Sequence, residues 1–210
     1  MKSAENQADN LTISYTGTES YLQPSAYIDF NHSAVVEKAS CLANGLKNDM
    51  EIAEACFEFV RDEIKHSWDY MLNPVTCKAS DVLLYGTGYC YSKSHLLAAL
   101  LRANGIPSGL CYQRLVLDKY ISDSHFSMHG LNAVYLKKYG WYRIDARGNK
   151  QGVDAGFCPP VEKLAFPITY AGEKNLDLIF VEPLPSVIKV LTQNKTIEQV
   201  YENLPDAQEV

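Results

Sequence analysis

Cys90 ends the run YGTGYC, where a loop punctuated by Gly86 and Gly88 delivers a thiol to the start of the apolar stretch HLLAALL. A cysteine there sits among first-turn amides that have no intrahelical acceptor. Those amides and the helix dipole favour the thiolate, which is the reactive form of the residue. They can also hold the oxyanion that forms when a thiolate attacks a carbonyl carbon. Such a nucleophile needs a base, and the chain offers His32, His66, His95, His125 and His129. His129 is the candidate, because it opens HGLNAVYL, the start of a predicted strand that would hold the ring rigidly. Asp145 follows in WYRIDAR, beyond a turn at Tyr139-Gly140. If strands 129–136 and 141–146 pair across that turn, His129 and Asp145 become approximate cross-strand neighbours. A carboxylate beside the imidazole would fix its tautomer and stabilise the imidazolium, giving a thiol, imidazole and acid set.

These residues need a helix and a hairpin to bring them together. Leu96, Leu97, Leu100 and Leu101 form a stripe that extends back to Cys90, and Asn104, Gly105 and Pro107 close the predicted helix. Upstream, AVVEKASCLA reads as a short helix ended by Asn44 and Gly45. A second helix has Asn48 and Glu51 at capping-box spacing, buries Ile52, Cys56, Phe57, Val60 and Ile64, and is expected to end near His66. Ser80 to Tyr85 reads as a capped helical turn, and Leu11 to Thr16 as a sheet-edge strand. After Pro107 the texture turns to strands, GLCYQRLVL, HGLNAVYLKK and WYRIDAR, followed by a looser Pro-interrupted region and one or two short helices within 186–204. Helices first and strands later give an α+β class, read as a single domain over 1–210 with its core at about 33–150.

Composition sets the frame. The 210 residues are 47% hydrophobic and 21% charged, as in folded globular chains, which excludes disordered, collagenous and coiled-coil classes. A formal charge of −6 gives no global attraction to nucleic acid or to an anionic membrane, so neither partner is expected. No apolar run approaches the ~20 residues of a membrane span, and MKSAENQADN lacks the apolar middle of a secretory signal. A cytoplasmic location with six free thiols is therefore expected. Cys41, Cys56, Cys77, Cys111 and Cys158 are assigned to packing. Gly86 to Gly88 is not followed by G-K-[ST], and neither C-x-x-C nor H-E-x-x-H occurs, so nucleotide and structural zinc are not expected. Tyr85, Tyr89, Tyr91 and Tyr112 crowd the cysteine in sequence and could line a cleft.

The run YGTGYCYSKSHLLAALLRANGIPSGLCYQ, then HGLNAVYL, then YGWYRIDARGN, resembles the core of the transglutaminase-like superfamily of cysteine enzymes, which shares its architecture with papain-type proteases. The resemblance covers about residues 57–150. It implies an α+β fold with the cysteine at the start of a central helix packed on an antiparallel sheet. It places Cys90 as nucleophile, His129 as base and Asp145 as orienting acid, and matches Arg102 to Pro107 to the family's helix end. It also implies a role for Trp68, the tryptophan upstream of the cysteine, as a second oxyanion donor through its indole N–H. Leu131 and Ala133 depart from the Trp and Glu that often follow the family's histidine. The chain shows no calcium loop, so no metal or other cofactor is expected.

The function expected is a cysteine-dependent amide hydrolase or acyl transferase working on a peptide or protein amide through a thioester. Two other readings compete. One is a catalytically silent peptide- or protein-binding module on the same fold; the other is a redox thiol protein in which Cys90 exchanges disulfides with a partner such as Cys77.

Overall fold

The structure is a computed structural model that describes residues 12–13, 17–117 and 125–207. Helices α1 (Ser33–Ala43), α2 (Asp49–Glu58), α3 (Ser67–Tyr70), α4 (Ala79–Tyr85) and α5 (Cys90–Ala103) precede the main sheet, and α6 (Pro185–Gln193) and α7 (Ile197–Glu202) follow it. The strands are β1 (Thr12–Ile13), β2 (Lys65–His66), β3 (Thr87–Gly88), β4 (Ser108–Val116), β5 (Phe126–Leu136), β6 (Gly140–Ile144), β7 (Lys174–Asn175) and β8 (Leu178–Ile179). The class is α+β. A four-stranded antiparallel sheet runs in the order β6-β5-β4-β7, with two-stranded parallel pairs β1-β8 and β2-β3 beside it. Of the strand expected over Leu11–Thr16, Thr12–Ile13 is present as β1, and the rest lies outside the described residues.

Local chemistry explains the helix ends. The Asn48 carboxamide accepts from the Glu51 amide at 2.9 Å, and the Glu51 carboxylate reaches back to the Lys47 amide at 2.9 Å, one residue before the usual capping-box partner. At the far end of α5, Ile106 N–H donates to Leu101 C=O and Gly105 N–H to Arg102 C=O. Gly105 adopts φ +71, so the helix closes in a Schellman turn that only a residue tolerant of the left-handed region forms without strain.

Three expectations need correction. The helix expected to reach His66 is α2 followed by one π-type turn, Phe59–Glu63, after which Ile64 turns extended and Lys65–His66 pair as β2. Helix α5 is not amphipathic with one buried stripe. It is buried on all sides from Cys90 to Arg102, because α1, α2 and α4 pack against it opposite the sheet. Cys41 and Cys158 are exposed rather than packed in the core, whereas Cys56, Cys77 and Cys111 are buried.

The main core lies between the sheet and the helical layer. A smaller cluster of Tyr21, Cys111, Leu131, Ala133 and Ile179 covers the sheet's other face. Leu131 and Ala133, where the family's pattern differs, therefore pack beneath the N-terminal segment and β8. Among the described residues, no helix is long and apolar enough to cross a membrane, and no group of three or more His, Cys, Asp or Glu side chains is placed to hold a metal ion.

Candidate active site

Gly86 takes φ +64 and ends α4, β3 pairs with β2, and Tyr89 turns extended as the N-cap of α5 with no side-chain cap. The first-turn amides of α5 are thus left without a capping side chain beside Cys90, the first helical residue, which is 4% exposed. Strand β5 passes directly over this turn. Position 130 is a glycine because an added Cβ would lie 2.8 Å from the Tyr91 ring and 3.1 Å from its Cα. The close approach lets the Gly130 amide donate to Cys90 Sγ at 3.5 Å.

His129 is the preceding residue on β5. In the β5-β6 ladder Asn132 pairs with Ile144 at the last rung, so Asp145 lies one residue past the strand, diagonally across from His129. The side chains close that gap: His129 Nε2 donates to Asp145 Oδ2 at 2.8 Å, and the imidazole stands close enough to the Cys90 sulfur for that sulfur to favour its protonated form. With Nε2 committed to the carboxylate, Nδ1 is the nitrogen left for sulfur. The structure therefore brings Cys90, His129 and Asp145 into one contiguous set.

Asp145 is fully buried, and its remaining capacity is filled by the Arg147 amide at Oδ1, 3.2 Å, and the Ala165 amide at Oδ2, 3.1 Å. Burial pushes its carboxyl up, but the His129 charge and these three hydrogen bonds hold it below the usual carboxylate value. For His129 burial disfavours the imidazolium, but the Asp145 carboxylate and then the Cys90 sulfur outweigh it, raising the ring to about 10. Phe166 lies edge-on to His129, with ring centroids 5.0 Å apart, and covers the imidazole.

A cavity of about 340 Å³ opens at Cys90 and His129. One wall is apolar, with Leu115, Met128 and Phe166. Another is Trp68, whose indole stacks on Tyr201 of α7 with centroids 3.9 Å apart and planes 2° from parallel. Trp68 thus shares the cavity with Cys90. Tyr89 also lines it, while Tyr91 and Tyr112 are buried in the core, the Tyr91 hydroxyl donating to Met128 C=O. Tyr85 is 53% exposed and lies outside the cavity lining.

The other histidines divide sharply. His32 caps α1 at the surface, His125 is exposed, and His95 is buried in α5 with Nδ1 on Cys77 C=O at 2.8 Å. His66 is different: it lines the same cavity as Cys90, and nothing in its local sequence marks it out. Asp69 and Arg147 complete this side. Arg147 binds Asp69 through both terminal nitrogens, at 2.6 and 3.0 Å, and Lys150 adds a third contact at 2.6 Å. These partners come from α3 and from the segment after β6, so their meeting is tertiary; the only sequence signal is that Arg147 stands two residues after Asp145.

Residues 37–146 match the family model for the transglutaminase-like superfamily, more than half of the chain. The chain belongs to that superfamily. Among solved structures, this superfamily member is similar to a candidate cysteine protease from Cytophaga hutchinsonii, at 20% identity and TM-score 0.50, over 64% of this chain and 43% of the other. It is also similar to the periplasmic domain of TgpA from Pseudomonas aeruginosa, at 18% identity and TM-score 0.48, over 62% of this chain and 48% of the other. A third is red sea bream transglutaminase, at 16% identity and TM-score 0.44, over 63% of this chain and 32% of the other. The matched region spans less than half the length of each of these proteins. No curated protein sequence matches the chain. At 20% identity the likeness to the first of these carries the fold alone.

Proposed function

We propose that this superfamily member is a cysteine-dependent amide hydrolase or acyl transferase acting on a peptide or protein amide. The Cys90 thiolate attacks the carbonyl carbon, and the oxyanion is held by main-chain N–H groups of the first turn of α5, with the Trp68 indole as a second donor. The His129 imidazolium gives its proton to the departing amine, leaving a thioester on Cys90, and Asp145 holds the ring in place throughout. Water or an amine then releases the acyl group.

The observation that carries this reading is the chain of contacts from the Cys90 side chain through His129 to the buried Asp145, opening into a cavity with an aromatic wall. The set supports acyl chemistry because each member has a partner that suits its role: sulfur beside free helix amides, an imidazole kept charged, and a carboxylate kept ionised. The experiment is trapping with a peptidyl chloromethyl ketone, read by mass spectrometry of peptides. The expected result is a single adduct at Cys90, absent in Cys90→Ala and at least about 10²-fold slower in His129→Ala. Labelling spread equally over Cys90, Cys41 and Cys158 would overturn the assignment.

A further inference from the structure

Two imidazoles face the cavity, and the thioester cycle above uses only one. His66 reaches it from β2, while His129 comes from β5. The main chain of His66 is fixed relative to the nucleophile, because β2 pairs with β3 so that His66 lies opposite Gly88, two residues before Cys90. Its ring packs on Tyr89, the residue between, at 4.9 Å.

The two ring nitrogens of His66 have different surroundings. Nδ1 is buried, has no hydrogen-bond partner, and lies 3.6 Å from Asp69 Oδ2. A carboxylate on that side favours the proton on Nδ1, which leaves the lone pair on Nε2. A lone pair cannot support an oxyanion, but it can accept a hydrogen bond and a proton. From this geometry we propose that His66 is a second catalytic imidazole, one that takes the proton of the incoming water or amine as the thioester on Cys90 is broken.

The step balances as follows. The nucleophile's oxygen or nitrogen forms a bond to the acyl carbon, its proton goes to His66 Nε2, the carbon–sulfur bond breaks, and the electron pair leaves on Cys90 as thiolate. His66 then returns the proton to solvent through the cavity, and His129, left neutral by acylation, regains its own proton from solvent before the next turnover. The charged and titratable groups facing His66 are Asp69 of α3, Arg147 after β6, Lys93 of α5, His129 of β5 and Tyr89 at the N-cap of α5, with Lys150 bound to Asp69. Burial, then the Arg147 charge, and more weakly Lys93 and His129, push the ring well below its usual value against the opposing pull of Asp69, so it is neutral at pH 7. His129, held charged by Asp145, is suited to giving a proton; His66, held neutral, is suited to taking one. Two titratable groups whose surroundings push them apart in this way divide acid and base roles. Asp69 is a positioning residue here.

This inference rests on the thioester reading, and its test separates the two. The probe is 4-nitrophenyl acetate, with and without added methylamine, in the native protein, His66→Gln and His66→Asn. Iodoacetamide reactivity of Cys90 serves as the check that the site is intact. Expected are a burst of 4-nitrophenolate of equal amplitude in all three, and turnover after the burst slower by roughly 10²-fold in the variants. A drop confined to the methylamine arm would assign the proton to an amine, and one confined to buffer alone to water. In the native protein, turnover but not the burst rate should fall on the acid side of pH 6.5, a readout that needs no variant. An unchanged turnover in both variants, or an acid limb shared by burst and turnover, overturns the role of His66 alone. No burst in the native protein overturns the thioester reading and this inference with it.

Discussion

The Gly130 amide donates to Cys90 Sγ across 3.5 Å, and this contact exists because residue 130 has no side chain. An alanine there would force β5 away from the first turn of α5, since Tyr91 Cα would lie 3.1 Å from the new methyl. Overpacking of this kind costs about 1–3 kcal/mol. Gly130→Ala should lower the urea midpoint accordingly. It should also slow alkylation of Cys90 by iodoacetamide while leaving the exposed Cys41 and Cys158 unaffected, as read by peptide mass mapping. Equal rates at Cys90 before and after the substitution would show that the amide contributes nothing to the sulfur.

Asp145 receives two donors on one oxygen, His129 Nε2 and the Ala165 amide, and a third, the Arg147 amide, on the other. Asp145→Asn keeps the shape, but either orientation of the carboxamide turns its NH₂ against an N–H. The loss of charge removes the main influence that keeps His129 protonated. Activity should fall by about 10²–10⁴-fold. The alkaline limb of the pH profile, expected near pH 10 in the native protein, should move toward neutrality. An unmoved limb would mean that Asp145 does not govern the His129 proton.

The parts of this site legible in sequence are those that one stretch of chain specifies. The Gly86 to Cys90 loop announces a helix start, RANGIP announces its end, and the Tyr139-Gly140 turn makes Asp145 a neighbour of His129. The observed ladder, with Asn132 opposite Ile144, has that arrangement. His66, Asp69 and Arg147 were not legible, because they meet only after β2 has paired with β3 and the segment after β6 has packed on α3. Nor was the complete burial of α5. The leucine stripe predicts one buried face, yet Ser92, Lys93 and Arg102 are buried as well, and Lys93 Nζ is satisfied by the carbonyls of Ile64 and Arg61, at the end of the π-type turn. Polar side chains that find main-chain acceptors can be buried, and pattern alone does not reveal which ones do. Strands β7 and β8 were missed for a related reason: two-residue strands carry too little periodicity to register.

The His129 and Asp145 pair should also be visible in stability. His129 is raised to about 10 from an ordinary value near 6.5, so its contribution is fully present below about pH 6.5 and is lost as pH rises through about 10. Asp145 is lowered, so its contribution is present above about pH 4 and is lost as pH falls through its folded value. Between about pH 4 and pH 6.5 both are in force. Urea midpoints measured from pH 4 to 10 should fall through the upper range in the native protein. In His129→Gln that alkaline decline should be reduced, and an identical decline in both would assign it to other groups.

Arg102 offers a test of how the helix that carries Cys90 is anchored. Its guanidinium is 2% exposed and donates to three carbonyls from distant segments: Nε to Ser108 at 2.9 Å, Nη1 to Gln23 at 2.7 Å and Nη2 to Val181 at 2.7 Å. The fork geometry is what joins the N-terminal segment, the start of β4 and the segment before α6 at one point. Lysine keeps the charge but has a single nitrogen on a differently shaped stem, so Arg102→Lys leaves at least one of the carbonyls without its donor, at about 1–3 kcal/mol for each one orphaned. Arg102→Met leaves all three unpaired and should cost more. If the two variants have the same urea midpoint as the native protein, the three carbonyls find other partners and the anchor is dispensable. If both are destabilised but Cys90 keeps its alkylation rate near neutral pH, the site is held by β5 and the β2-β3 pair rather than by this end of α5.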